Sequence, residues 1–230
     1  MMRWAFTKRF SFLLCCFSFA LLFSCGGKGL ASGADVVSSG KYAKYYDAQF
    51  ISEVVAELNF ARQNPSKYIT DVLIPIKENW VGTLYNGRIS TNETNKVVDE
   101  FIAELQSLTV PLPTISSDIG MTKAAQWLAV DQSLSQATGH KGSDGSSLSN
   151  RLGWFGTVGG VWGECCAYGW TSARDAVAWL LIDDGVQGRG HRKIILNNSF
   201  TKVGVGRVEN GNERYGTIVV IDFAATYNHN

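Results

Sequence analysis

Five residues of this chain have types that could share a polar site: His140, Glu164, Asp183, Asp184 and His191. The densest stretch is Asp183-Asp184-Gly185-Val186-Gln187-Gly188-Arg189-Gly190-His191-Arg192-Lys193. Its glycines let the backbone turn sharply and present the imidazole of His191 close to carboxylates. Imidazole nitrogen and carboxylate oxygen are donors that Zn²⁺ or another divalent cation accepts, and a catalytic site keeps one position open for water. His140 and His191 as metal ligands, with Glu164 as base or orienter, would meet that pattern. Spacing alone does not establish it: 51 positions separate the histidines and no H-x-x-x-H occurs. Two unrelated surface histidines are the plainer alternative, and His229 near the C-terminus reads as a tail residue.

A nucleophilic site is the rival chemistry. Ser143, Ser146, Ser147 and Ser149 follow His140 closely, but no G-x-S-x-G elbow is present. Cys165 and Cys166 could act as thiolates only in an activating environment, and as two buried thiols they behave as small hydrophobes. Being adjacent, their Cα atoms lie ~3.8 Å apart, below the ~4.4–6.8 Å that a relaxed disulfide spans. The fold must therefore stand without disulfides. No Gly-rich phosphate loop of useful spacing appears, so a nucleotide cofactor is not expected.

The elements that must position these residues are legible by period. A helix is expected over 47–63, capped by Asp47 and stopped at Asn64-Pro65, with Asn59 and Arg62 at the edge of its apolar stripe. Residues 68–96 read as looser chain with a turn at Asn86-Gly87. A helix over 96–108 and a long one from Ser116 or Ser117 to Ser135 follow, the latter leading into His140. A short helix over 146–152 carries Arg151. Val161–Tyr168 reads as a strand that puts Trp162, Glu164, Cys166 and Tyr168 on one face. A helix from Thr171 or Ser172 to Asp183 precedes the glycine turn. Strands over 202–208 and 215–227 are joined at Asn210-Gly211-Asn212. These elements predict an α/β/α sandwich: helices on both sides of a short, largely antiparallel sheet.

The first 24 residues read as an export signal. Arg3, Lys8 and Arg9 precede an apolar or small-residue run, Phe10–Phe23, of 14 residues. That suits a secretory core and is too short to span a bilayer. Leu22-Phe23-Ser24-Cys25-Gly26 fits a bacterial lipoprotein box in which Cys25 is acylated and becomes the mature N-terminus; plain signal cleavage beside a chance cysteine is the alternative. Residues 25–46 form a Gly/Ser-rich tether and 47–230 a single domain. The place implied is the bacterial cell envelope, held by lipid in the outer membrane or at the surface, or otherwise secreted or periplasmic. Removing residues 1–24 takes away three cations and no acids, leaving 18 Lys+Arg against 20 Asp+Glu, a formal net of −2. That balance excludes nucleic-acid binding by phosphate neutralisation.

Taken in order, Asn59-Phe60-Ala61-Arg62-Gln63-Asn64-Pro65, Gly139-His140-Lys141-Gly142-Ser143-Asp144-Gly145-Ser146-Ser147 with Arg151, Gly163-Glu164, Asp183-Asp184-Gly185 and Gly190-His191-Arg192 resemble the bacterial branch of the CAP superfamily. That superfamily comprises the cysteine-rich secretory, antigen 5 and pathogenesis-related (SCP-like) proteins, and the similarity runs from Asp47 to Tyr227. The resemblance implies an α/β/α sandwich with a cavity lined by two histidines and two acids and able to bind a divalent metal. His140 and His191 match the histidines and Glu164 the first acid. Asp183 or Asp184 would replace the second, because the residue three after Trp179 is Ile182. It also makes Asn59 and Arg62 structural ties. The family's Gly-Glu-Asn is Gly-Glu-Cys here, and its eukaryotic disulfides are absent. The function implied is a non-catalytic, envelope-anchored binding module for an apolar small molecule or an envelope or host protein. A metal-assisted hydrolase using His140, His191 and Glu164, with Asp183 or Asp184, is the alternative; a bare interaction module with a vestigial cavity is the third reading.

Overall fold

A computed structural model describes residues 46–230. The export signal over 1–24, Cys25 and the tether up to residue 45 lie outside the described residues. The first helix, α1 (Ala48–Gln63), starts where expected: Asp47 Oδ1 accepts the Phe50 amide at 3.0 Å. Its buried stripe of Phe50, Ile51, Val54, Leu58 and Ala61 faces the core.

The stretch after Asn64 is more helical than the sequence suggests. Helix α2 (Pro65–Tyr68) runs through a π-helical turn (Ile69–Leu73) into α3 (Ile74–Glu78). Ile74-Pro75 reads as a break because proline has no N–H. Here the wider turn, with the Ile74 amide on the Ile69 carbonyl, carries the helix past it. Three two-residue strands follow, β1 (Trp80–Val81), β2 (Leu84–Tyr85) and β3 (Ile89–Ser90), antiparallel in that order, with the β2–β3 turn at Asn86-Gly87 as predicted. Helix α4 spans Lys96–Ser107.

The long helix is α5 (Ile119–Ser135), and its cap is not a serine. Ser116–Ser117 form strand β4, while Asp118 Oδ1 accepts the Gly120 and Met121 amides at 2.8 and 3.3 Å. The carboxyl cap next in line outcompetes the hydroxyls. Then come α6 (Leu148–Phe155), β5 (Gly156–Tyr168), α7 (Ala173–Ile182), α8 (Gly190–Ile195), β6 (Lys202–Asn212) and β7 (Gly216–His229). The β6–β7 turn lies at Glu213–Tyr215 rather than at Asn210-Gly211-Asn212. Asn210, at φ 48°, falls in an irregularity of β6, and Asn212 Oδ1 accepts the Arg214 and Tyr215 amides to close the turn.

The main sheet has the order β4-β6-β7-β5, antiparallel except for the short β4–β6 pair. Helix α5 lies on one face. It comes so close to β6 that a Cβ on Gly204 or Gly206 would sit 2.2–2.4 Å from the helix backbone. On the other face α1, α4, α7 and α8 cover a core that includes Leu58, Phe101, Trp179, Cys165, Val205 and Ile221. This is the three-layer α/β/α arrangement. No helix of the described residues is long and apolar enough to cross a membrane.

Two ties fix the layers. Asn59 exchanges two hydrogen bonds with the Ile115 backbone, both 2.9 Å. Arg62, fully buried, donates to the carbonyls of Pro113, Ile195, Asn197 and Phe200 at 2.6–3.3 Å. Burial lowers its guanidinium to about 10, which leaves it cationic at neutral pH. Arg62→Ala should strand four carbonyls and lower stability by about 3 kcal/mol or more. Arg62→Lys should recover little, since a point ammonium cannot span the same oxygens. Urea denaturation of the three proteins measures both; a loss below about 1 kcal/mol in Arg62→Ala would show that the tie is dispensable.

Candidate functional site

His140 follows α5 on a loop pinned at Gly139. The Gly139 amide donates to Tyr168 Oη at 2.8 Å, and its carbonyl accepts from Gln132 Nε2 at 2.5 Å. Tyr168 Oη in turn donates to Gln132 Oε1 at 3.1 Å, closing a ring of bonds between α5, the loop and β5. Trp162, Cys166 and Tyr168 do share one face of β5, packed toward α5 and α6. Glu164 on that face meets both His140 and Arg151.

Glu164 is 5 % exposed and both its oxygens are engaged. Oε1 lies 2.9 Å from His140 Nδ1 and Oε2 is 2.5 Å from Arg151 Nη2. Arg151, fully buried on α6, also donates from Nη1 to the carbonyls of His140 and Ser146 at 3.2 and 3.0 Å. It therefore holds the His140 loop and the carboxylate together. Burial pushes the Glu164 carboxyl up, but the His140 hydrogen bond and the Arg151 charge outweigh it, so the group stays below its ordinary range.

Two further groups complete this corner, Asp222, which the sequence reading missed, and Cys166, which it placed on the Glu164 face without a site role. Asp222 on β7 is the cross-strand partner of Glu164, fully buried, and neither of its oxygens is met by a donor. Burial first, and then the Glu164 charge, raise its pKa far above the usual carboxylate range, so Asp222 keeps its proton beside an ionised Glu164. Cys166 Sγ lies 3.8 Å from His140 Nδ1 and 3.4 Å from the Gly139 carbonyl oxygen. Burial, then Glu164, push its thiol up as well. His140, Glu164 and Cys166 each offer a donor atom, all within 4.8 Å of one another.

His191 has a carboxylate partner of its own, Asp183. Asp183 caps α7 in a left-handed conformation (φ 61°), and its carboxylate accepts the His191 and Arg192 amides at 2.9 and 3.3 Å and the His191 ring at Nδ1, 2.7 Å away. The glycine turn behaves as its sequence implies: Gly185 holds φ 73°, and a Cβ there would collide with Asn92. Helix α8 rests on the face of β5 opposite Glu164. Ile194 fills the space above Gly163, and Cys165 Sγ is 4.0 Å from the His191 carbonyl oxygen. Asp184, expected among the cavity acids, instead accepts the amides of Asn92 and Glu93 at 2.8 Å each. Hydrogen bonds thus join His140 to Glu164 and His191 to Asp183, and tie Asp184 to the backbone of Asn92 and Glu93.

The serine alternative finds no partner in the imidazole. Ser143 Oγ donates to Asp131, and Ser147 caps α6. Cys165 and Cys166 are both buried, as expected. His229, read as a tail residue, closes β7 with Nδ1 2.9 Å from Asp118 Oδ2.

With this architecture and corner described, comparison with known proteins places the chain. The profile of the cysteine-rich secretory protein family, CAP, matches residues 109–223, half of the sequence. The chain belongs to the CAP family. Among solved structures it is similar to an extracellular protein containing an SCP domain from Bacillus anthracis, 24% identical over 49% of this chain and 34% of that one, TM-score 0.37. It is also similar to an outer surface protein from Borrelia burgdorferi, 20% identical over 55% of this chain and 86% of that one, TM-score 0.41. The matched part spans about a third of the length of the first of these. No curated protein gives a match.

The His191 turn is held from outside by charge. Arg189 pairs with Glu93 and Glu100, both at 2.8 Å, while Arg192, fully buried, donates to Glu100 and Glu104 and to the Leu181 and Ile182 carbonyls that end α7. The Arg189 hydrogen bond, reinforced by Arg192, lowers the Glu100 carboxyl to about 2 against its ordinary 4.5. A depressed folded-state pKa gives stability that is complete above the unfolded value and lost as pH falls through the folded one. Glu100 is half exposed, so solvent screening keeps the effect modest. Glu100→Gln should lose less stability than the parent between pH 4.5 and about 2, measured by denaturant titration across that range; parallel curves would remove Glu100 from the acid response.

Proposed function

We propose that this chain is an exported, lipid-anchored CAP domain of the bacterial cell envelope that binds without catalysing. Its occupant is an apolar small molecule or an envelope or host protein, and its His140–Glu164 corner takes a divalent cation. The observation that carries the non-catalytic reading is the state of Glu164. A general base needs a lone pair aimed at water and a pKa near the working pH. Glu164 has one oxygen on His140, the other on Arg151, and a carboxyl held low. The hydrolase reading would require that same group to activate water.

The donor set fits a cation. It combines nitrogen, oxygen and sulfur on the α5 face, with His140 27% exposed at the side chain as the way in from solvent. When bound, the ion would supply positive charge to a corner that holds two buried carboxyls. His140 and Glu164 would hold it, and Arg151 would keep Glu164 oriented.

Support for an apolar occupant comes from a separate open groove of about 690 Å³, lined by Ile69, Ile74, Trp80, Val81 and Ile102 and rimmed by Lys77, Glu78, Asn95 and Gln106. Its size suits a small ligand, and Ile74 and Val81 are 39% and 78% exposed in it. Export and anchoring rest on the sequence alone: the basic and apolar leader, and the Leu22–Cys25 box.

Purified protein should release lipid on organic extraction above a buffer blank, and Ile74→Glu should lose at least about ten-fold of it, since a charge at an apolar contact costs over 1.4 kcal/mol. Extracts equal to the blank would end the apolar-ligand reading. Labelled palmitate should enter the wild type in a bacterial host and be absent from Cys25→Ala; label that persists in the variant would defeat the anchor.

A further inference from the structure

The corner around Glu164 contains more donor chemistry than a histidine and a carboxylate. We propose that Cys166 is a metal ligand: its thiolate joins His140 Nδ1 and Glu164 Oε1 in a three-donor site for a thiophilic divalent cation of the zinc and cobalt kind. This deepens the cation-binding reading above and rests on it.

Geometry carries the inference. Tetrahedral zinc with metal–nitrogen bonds of about 2.0 Å and metal–sulfur bonds of about 2.3 Å separates a nitrogen and a sulfur ligand by about 3.6 Å, and a nitrogen and an oxygen ligand by about 3.3 Å. Cys166 Sγ and His140 Nδ1 are 3.8 Å apart, and His140 Nδ1 and Glu164 Oε1 2.9 Å. Both partners converge on the same ring nitrogen, so the ion can enter with shifts of a few tenths of an ångström at these two edges. Arg151 stays on Glu164 Oε2 and leaves Oε1 to the ion. A soft thiolate beside imidazole favours zinc or cobalt over magnesium or calcium.

Asp222 is a second observation: its carboxyl is fully buried, paired across the strands with Glu164, and no neighbouring group donates to either of its oxygens. Arg151 is the arginine that meets Glu164 there. On loading, the Cys166 S–H proton leaves to solvent as the sulfur–metal bond forms. The His140 proton moves from Nδ1 to Nε2, so that the Nδ1 lone pair faces the ion. Cys165 cannot take part, because strand alternation turns it to the opposite face.

The test is titration of the protein with Co²⁺ under anaerobic, thiol-free reducing conditions. It is followed by optical absorption and equilibrium dialysis, with circular dichroism to verify folding of each variant. Wild type should bind one Co²⁺ with a near-ultraviolet thiolate-to-cobalt band. Cys165→Ser should keep that band. Cys166→Ala and Cys166→Ser should lose it and bind at least about ten-fold more weakly, and His140→Ala should do likewise. Should a Cys166 variant fail to fold, a band that persists in both Cys165→Ser and Cys25→Ala decides, since these are the other thiols beyond residues 1–24. Co²⁺ bound without the band, or a band that survives in folded Cys166→Ala, overturns the proposal while leaving the cation-binding reading intact. No Co²⁺ bound in the wild type overturns both.

Discussion

A guanidinium taken out of water must find oxygen around its rim, and three arginines impose that condition on this fold. Arg62, Arg151 and Arg192 are each fully buried. Arg62 gathers carbonyls from the segments before β4 and after α8 onto α1. Arg192 takes the last carbonyls of α7, where a cation also complements the helix dipole, and lies 4.9 Å over the Phe101 ring. Arg151 alone of the three meets a carboxylate that is itself buried. Two arginines thus hold loops against helices, while the third sets the orientation of the one buried anion on the α5 face.

The corner around Glu164 follows from that allocation. An ionised glutamate can survive inside a sheet only where its charge is met on both oxygens, which His140 and Arg151 do. Its cross-strand neighbour Asp222 then cannot ionise as well, because a second charge on the same face would have nothing left to pair with. The Gly139 loop, clamped by Tyr168 and Gln132, keeps the imidazole in place without using its ring nitrogens. What results is a preorganised, low-dielectric cluster of donor atoms.

Much of this was legible in the residues. Period and capping located seven of the longer elements within a few positions, because Asp47, Ser172 and the apolar stripes act locally. The parts that were hidden depend on pairing across the chain. Asp222 sits in the run Ile218–Phe223, where one carboxyl among aliphatics was the available signal, yet only the β5–β7 register shows that it faces Glu164. Cys166 read as a small hydrophobe because its neighbours in sequence are apolar, while its neighbour in space is an imidazole. Proline in Ile74-Pro75 masked a helix, since a wide turn that tolerates it leaves no sequence mark. Arg62 is the opposite case: the kinship named its role, and the bonds bear it out.

The vicinal cysteines have a bearing on the route such a protein would travel. Their sulfurs sit back to back across a flat ribbon, one among the aliphatic side chains under α7 and α8, the other beside His140. To join them the ribbon would have to be wrung through a half-turn, parting its ladder from β7. Neither thiol lies at the surface for a foreign oxidant or a second molecule to reach. Among the described residues, then, an oxidising solution finds no pair of sulfurs that can be joined without breaking the sheet.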